Sequence, residues 1–283
     1  MRPFIRPILV ALLALAPVAV APAVAETPIA LPASEEPPPV SASEFATVAP
    51  PAAVPAVAVP VVPVPVAPAP SRVTVAVLGD SLGDGMWGGL YRLMIRDKRY
   101  GFVRAARNSV GFAADDLLDM IDGALAHGPV DAAVIMIGAN DRRSFFVGTQ
   151  SKALFRSKAW LDMYGARVGA FMDRLEQRKL PTVWILLPVM RDAEASKDAQ
   201  LINDIVVKAA ATRPGVKTLP TWPMTVDETG AYTAHFKDIK GVKRLMRADD
   251  GVHFQPPAYE LIGDAVLRSL RESVTPFKLL GAG

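Results

Sequence analysis

Four short polar blocks in this 283-residue chain carry side chains that could do chemistry together. They are Gly79-Asp80-Ser81-Leu82-Gly83, Asn108-Ser109-Val110-Gly111, Gly138-Ala139-Asn140-Asp141 and Asp250-Gly251-Val252-His253. Between them they supply a hydroxyl, a glycine N–H, a carboxamide and an Asp/His pair. Those are the parts of serine acyl transfer: a nucleophile, a base, a group that orients the base, and donors for an oxyanion. A serine hydroxyl is a poor nucleophile until a base removes its proton. Three histidines could serve. His127 precedes Gly128-Pro129 at an expected helix end, where an imidazole faces the helix dipole favourably. His235 lies in an irregular polar stretch. His253 alone has an acid three residues before it in a glycine-containing turn. Asp249 could orient the ring instead of Asp250, although the three-residue spacing favours Asp250. The plainer alternatives are a turn serine at Ser81 and an Asx-turn residue at Asn140, with Asp141 structural.

The elements around these blocks explain why they should meet. The β-branched run 72–78 (RVTVAVL) reads as a buried strand closed by the Gly79-Asp80-Ser81 turn. Helical spacing follows over 84–96, then a short strand over 102–106 and a helix over 114–126. A strand over 132–137 (AAVIMI) ends at Gly138, and a long amphipathic helix covers 159–178. A fourth strand, 182–187, stops at Pro188. A helix over 193–212, a short strand over 216–219 and a closing helix over 257–271 complete the pattern. Strands alternating with helices predict an α/β domain with a parallel sheet covered on both faces. In such sheets the site lies outside the carboxyl ends of the strands, where the first three blocks stand.

Two other motifs compete for the same residues. Gly79-x-Ser81-x-Gly83 satisfies the nucleophile elbow of α/β-hydrolases, but too few domain residues precede Ser81 for the strands of that fold. Gly83-x-Gly85-x-x-Gly88 satisfies a dinucleotide fingerprint. It begins late in the turn, and Arg107 and Asn108 rather than an acid follow the second strand, so an NADP site remains only a rival. Arg142 and Arg143, beside Asn140-Asp141, could hold an acidic group of a substrate, or sit in a solvated turn. Trp160 and Tyr164 fit core packing better than a sugar site. The irregular 220–247 stretch reads as a lid, made basic by Lys237, Lys240, Lys243, Arg244 and Arg247. Phe145, Phe146 and Val147 could form a modest acyl pocket.

The four blocks, in this order and at these strand ends, resemble those of the SGNH (GDSL-type) esterase and acetylesterase superfamily across 71–283. The strings Gly138-Ala139-Asn140-Asp141-Arg142 and Asp249-Asp250-Gly251-Val252-His253-Phe254 resemble a bacterial periplasmic branch of domains of unknown function. The resemblance implies a three-layer α/β/α sandwich with a central, mainly parallel sheet. It implies Ser81 as nucleophile, with Asp250 and His253 completing a triad. The Ser81 N–H, the Gly111 N–H and the Asn140 side chain would form the oxyanion hole. From the residues themselves no metal or cofactor is expected, since no His/Asp/Glu cluster has metal-ligand spacing and there is no P-loop Lys. The expected reaction is hydrolysis of a small ester, an O-acetyl group on a carbohydrate or cell-envelope glycan. An acetyltransferase using the same acyl-enzyme, or a non-catalytic envelope-binding module, are the alternatives.

Composition limits the setting. A net charge of +3 gives no argument for nucleic acid, and a hydrophobic content of 51% excludes disorder of the whole chain. With no Cys, disulfides, thiolate metal sites and Cys nucleophiles are excluded. Residues 1–25 read as a secretory signal: Arg2 and Arg6, an apolar run over 8–20, then Ala23-Val24-Ala25. Residues 26–70 hold half of the 26 prolines and no Lys or Arg, and read as a Pro/Ala/Val-rich linker. Residues 71–283 form the domain. The expected location is periplasmic or secreted, with no integral span after signal cleavage; the rival reading is an uncleaved segment that tethers the chain to the membrane.

Overall fold

A computed structural model describes residues 72–147 and 150–281. The signal and linker expectations for 1–70 lie outside the described residues. Five strands form one parallel sheet in the order β2-β1-β3-β6-β7. They are β1 (Val73–Gly79), β2 (Tyr100–Arg104), β3 (Ala132–Met136), β6 (Thr182–Ile185) and β7 (Val216–Leu219). Two hairpins stand apart, β4 (Phe145–Val147) with β5 (Gln150–Ala153), and β8 (His235–Lys237) with β9 (Lys243–Leu245). The chain runs outward from β1 to β2 through α1 (Ser81–Met94). It then returns past β1 to β3 through α2 (Leu118–Leu125). That reversal places α1 and α2 on opposite faces and opens a crevice at the ends of β1 and β3. α3 (Lys158–Gln177) packs on α2 and α4 (Ala193–Ala210), whereas α6 (Pro256–Ser273) returns to pack on α1. The short α5 (Trp222–Thr225) and α7 (Thr275–Gly281) complete the chain.

Covering on both faces explains the strand sequences. All five residues of β3 are buried, as are all but Thr74 of β1. The alternation typical of a half-exposed strand is therefore missing from both. Phe112, Phe171 and Trp184 interlock beneath α3, with centroid spacings from 5.4 to 6.0 Å. α7 anchors itself through Phe277, which is fully buried against Tyr100.

Three differences from the sequence reading have local causes. α1 begins at Ser81, not at 84, because Asp80 caps it and accepts the Leu82 N–H at 2.9 Å. α2 begins at Leu118 instead of 114, because Asp115 and Asp116 bond the backbone N–H groups of Gly111 and Leu118. Such local acceptors compete with helix. β6 ends at Ile185, and the Asn203 carboxamide then takes both backbone groups of Leu187, at 2.7 and 2.9 Å.

The contact between α1 and α6 needs glycine. A Cβ at Gly89 would stand 2.6 Å from the Tyr259 carbonyl oxygen, and one at Gly85 would overlap the Tyr259 ring. A Cβ at Gly83 would stand 2.6 Å from the Leu78 carbonyl oxygen. Gly83 and Gly85, two of the three glycines that mimic a dinucleotide fingerprint, therefore serve packing, of α1 on the end of β1 and on α6. Gly89→Ala gains up to ~1 kcal/mol of helix propensity but forces the two backbones apart. The expected net loss is about 1–3 kcal/mol, the range for overpacked cores. Urea unfolding checks it: the midpoint falls with an unchanged m-value, and an unchanged midpoint would contradict the packing account.

Candidate active site

Ser81 is the first residue of α1, at the carboxyl end of β1, which lies between β2 and β3 in the sheet. Its Oγ lies 2.7 Å from His253 Nε2. His253 Nδ1 lies 2.6 Å from Asp250 Oδ2, while Asp250 Oδ1 accepts the backbone N–H groups of Val252 and His253 at 2.8 and 2.9 Å. An ionised carboxylate only accepts, so the proton of a neutral imidazole sits on Nδ1. Nε2 then presents its lone pair to the serine hydroxyl. Burial pushes the Asp250 carboxyl up. The hydrogen bonds from Val252, from the His253 ring and from the His253 N–H outweigh it and hold the pKa at about 2. Asp249 takes no part in this chain; Asp250 makes the contact with the ring. His127 is exposed in the turn after α2, and His235 is exposed at the start of β8.

Asp80 links the ends of β1 and β3 from below. It is completely buried, and its Oδ2 accepts the N–H groups of Gly138 and Ala139, both at 3.1 Å. Asn140 Nδ2 stands 3.5 Å from the same oxygen and donates to the Val110 carbonyl at 2.9 Å. The carboxamide is thereby fixed between the second and third blocks. Asp141 is also buried, where it accepts the Ala113 N–H at 2.8 Å and the Tyr164 hydroxyl at 2.7 Å. Burial raises its pKa. Its role is structural, and Trp160 stacks on Tyr164 at 4.6 Å in the core.

Not every expected site residue points where the sequence placed it. The Gly111 N–H donates to Asp115 Oδ2 at 3.0 Å, so its hydrogen is directed at a carboxylate. The Ser81 N–H has no hydrogen-bond partner among the described residues, as befits the first N–H of a helix. Arg142 donates through Nε to the buried Asp198 at 2.7 Å, and Arg156 Nε takes the other oxygen at 2.6 Å. Asp198 thus anchors the Arg142 loop to α4. Arg143 is exposed, and its carbonyl accepts the Trp160 indole N–H at 2.8 Å. Phe145 is buried against Trp160, while Phe146 is exposed.

The 220–247 stretch also departs from expectation. Lys237, Lys240, Lys243 and Arg244 are exposed, as a basic surface requires, but Arg247 is completely buried. The β8–β9 hairpin borders a groove of about 1040 Å³ whose other wall includes Leu261, Asp264 and Arg268 of α6, and no triad residue lines it. A much smaller cavity of about 40 Å³ adjoins the triad loops. Gly138, Ala139, Leu187, Met190 and Val252 are among its walls.

Strand order, a serine at the end of β1 and an Asp/His pair just before α6 match the SGNH-type (GDSL-type) hydrolase fold. Solved structures share it. A GDSL-like lipase from Bacteroides thetaiotaomicron VPI-5482 is 14% identical with a TM-score of 0.51, over 71% of this chain and 89% of that one. The acetyl xylan esterase AlAXEase is 13% identical with a TM-score of 0.50, over 70% of this chain and all of that one. Residues 74–269 match the family described as "Protein of unknown function (DUF459)", and the chain belongs to that family. No protein of curated function matches the sequence.

The buried Asp80 generates a pH prediction. Burial drives its carboxyl from 3.8 up to about 6, against the lowering pull of the Leu82, Gly138 and Ala139 N–H groups. The native state therefore takes up this proton before the unfolded chain does. The stabilisation is fully present below the unfolded value and is lost as pH rises through about 6. Relative to Asp80→Asn, the wild type should lose about 2 kcal/mol of unfolding free energy between pH 4.5 and 7. Denaturant titrations at the two pH values measure it, and a pH-independent difference between the proteins would contradict the shift.

Proposed function

We propose that this protein is a serine ester hydrolase that removes small acyl groups, O-acetyl above all, from a carbohydrate or cell-envelope glycan. One observation carries the reading: the unbroken chain from Ser81 Oγ to His253 to Asp250, with links of 2.7 and 2.6 Å. His253 Nε2 takes the Ser81 proton as Oγ attacks the ester carbonyl carbon, and the carbonyl π electrons move onto oxygen. The Ser81 N–H is a donor for that oxyanion, and Asn140 Nδ2 joins it when its second hydrogen turns away from Asp80 Oδ2. The Gly111 N–H joins them when Asp115 releases it. The intermediate collapses, the imidazolium returns its proton to the departing sugar oxygen, and an acyl-serine remains. A water, deprotonated by the same imidazole, then attacks the acyl carbon. Ser81 leaves with the proton, and acetate is released. Asp250 keeps its charge throughout and stabilises the imidazolium.

The cavity of about 40 Å³ has Val252 in its wall but no triad residue, so the preference for a short acyl group rests on the rim of the site. The rim is polar, with Ser109, Asn140, Arg142 and Arg143 near it in sequence, which suits a sugar. Export to the periplasm or beyond belongs to the same proposal and rests on the signal-like residues 1–25.

Two outcomes test it. Ser81→Ala should lower kcat/KM for p-nitrophenyl acetate by about 10⁴-fold or more with an unchanged melting temperature. A wild-type rate in the variant would remove Ser81 as the nucleophile. Across p-nitrophenyl acetate, butyrate and octanoate, kcat/KM should fall with chain length. A rate rising through octanoate would point to a lipid ester instead.

A further inference from the structure

Arg247 is completely buried, and among the described residues no carboxylate lies within salt-bridge distance of it. Removing a cation from water without an anionic partner costs several kcal/mol unless its donors are met. Here backbone carbonyls meet them. Nη1 donates to Val189 at 2.7 Å, Nη2 donates to Gly251 and Val252 at 3.0 Å each, and Nε approaches the His253 carbonyl at 3.4 Å. The guanidinium also lies 4.5 Å from the centre of the Phe254 ring and 5.0 Å from that of Tyr232. Burial lowers its pKa to about 10, which leaves it charged at neutral pH.

The three carbonyls 251–253 belong to the turn that carries Asp250 and His253. The Gly251 carbonyl shares its peptide plane with the Val252 N–H, and the Val252 carbonyl shares its plane with the His253 N–H. Both of those N–H groups donate to Asp250 Oδ1. Two adjacent peptide groups therefore span from the Arg247 cation on the buried side to the Asp250 anion on the open side. Each charge polarises the peptide toward the other, so the two sets of hydrogen bonds strengthen together. Gly251, at φ 73°, lets the turn make this reversal.

We propose that Arg247 is a positioning residue of the triad: through the Gly251 and Val252 peptide groups it fixes the turn that aims Asp250 and His253 at Ser81. The inference rests on the hydrolase reading above. A lysine cannot replace it, since one ammonium cannot reach carbonyls on two sides in a planar fork.

The test is a double-mutant cycle with p-nitrophenyl acetate. Arg247→Met should melt cooperatively and lower kcat by about 10²-fold, the scale for misplacing a catalytic group, with KM within about twofold. In an Asp250→Asn background the same substitution should lower kcat by less than about threefold, because the turn it holds no longer orients an acceptor for His253. Arg247→Lys should behave like Arg247→Met, and millimolar guanidinium should restore part of the kcat of Arg247→Ala. An equal loss in both backgrounds would make Arg247 a structural residue only. So would loss of cooperative melting in both Arg247→Met and Arg247→Lys. Ser81-dependent activity untouched by Arg247→Met overturns this inference and leaves the hydrolase reading standing. Activity that survives Ser81→Ala overturns the hydrolase reading itself.

Discussion

The distance between Ser81 and His253 depends on one helix-to-helix contact. Ser81 opens α1, and His253 lies just before Pro256, where α6 begins. The two residues are 172 positions apart in sequence, so no local geometry can bring them to 2.7 Å. What does so is the meeting of α1 and α6 where Gly85 and Gly89 face Tyr259. Those contacts lie four and eight residues after Ser81 and six after His253. A shift of the helices there moves both ends of the Ser81–His253 hydrogen bond. The glycines of this helix are the condition for His253 to reach Ser81.

Electrostatics divide the carboxylates of the site by surroundings. Asp80 and Asp250 both accept backbone N–H groups, yet one is raised to about 6 and the other lowered to about 2. Asp80 is sealed beneath the loops with no cation beside it, and Asp141 adds a like charge. Asp250 has the His253 ring at hand and stays half-open to water. The first ties strand ends together, and the second is an anion available to an imidazolium. Asp198 illustrates a third use, pinning Arg142 and Arg156 to α4.

Much of this was legible in the residues. The parallel sheet was readable because its strands are unbroken apolar runs and its helices are long enough to display a period. The meeting of Ser81, His253 and Asp250 was readable because each of their loops follows a strand or precedes a helix with unmistakable periodicity. The β4–β5 and β8–β9 hairpins were not, since three- and four-residue strands with exposed residues carry no pattern above that of a loop. The Gly111–Asp115 bond was hidden because Asp115 reads equally well as part of a helix. Arg247 follows a cluster of lysines and arginine and looked like one more surface charge. The available signal was its position between the buried Met246 and the turn that holds the triad. Charge tells where a side chain is expensive to bury, and only the carbonyls of a folded turn reveal that it has been buried regardless.

The account stands on Ser81 being an activated nucleophile, and covalent labelling tests that most directly. A reactive alkyl fluorophosphonate should add one phosphonyl group per protein, with loss of fluoride. Peptide mass mapping should place it on Ser81, and His253→Ala should slow the labelling by orders of magnitude in a protein that still melts cooperatively. Labelling elsewhere in the chain, or at an unchanged rate on Ser81 without His253, would contradict it.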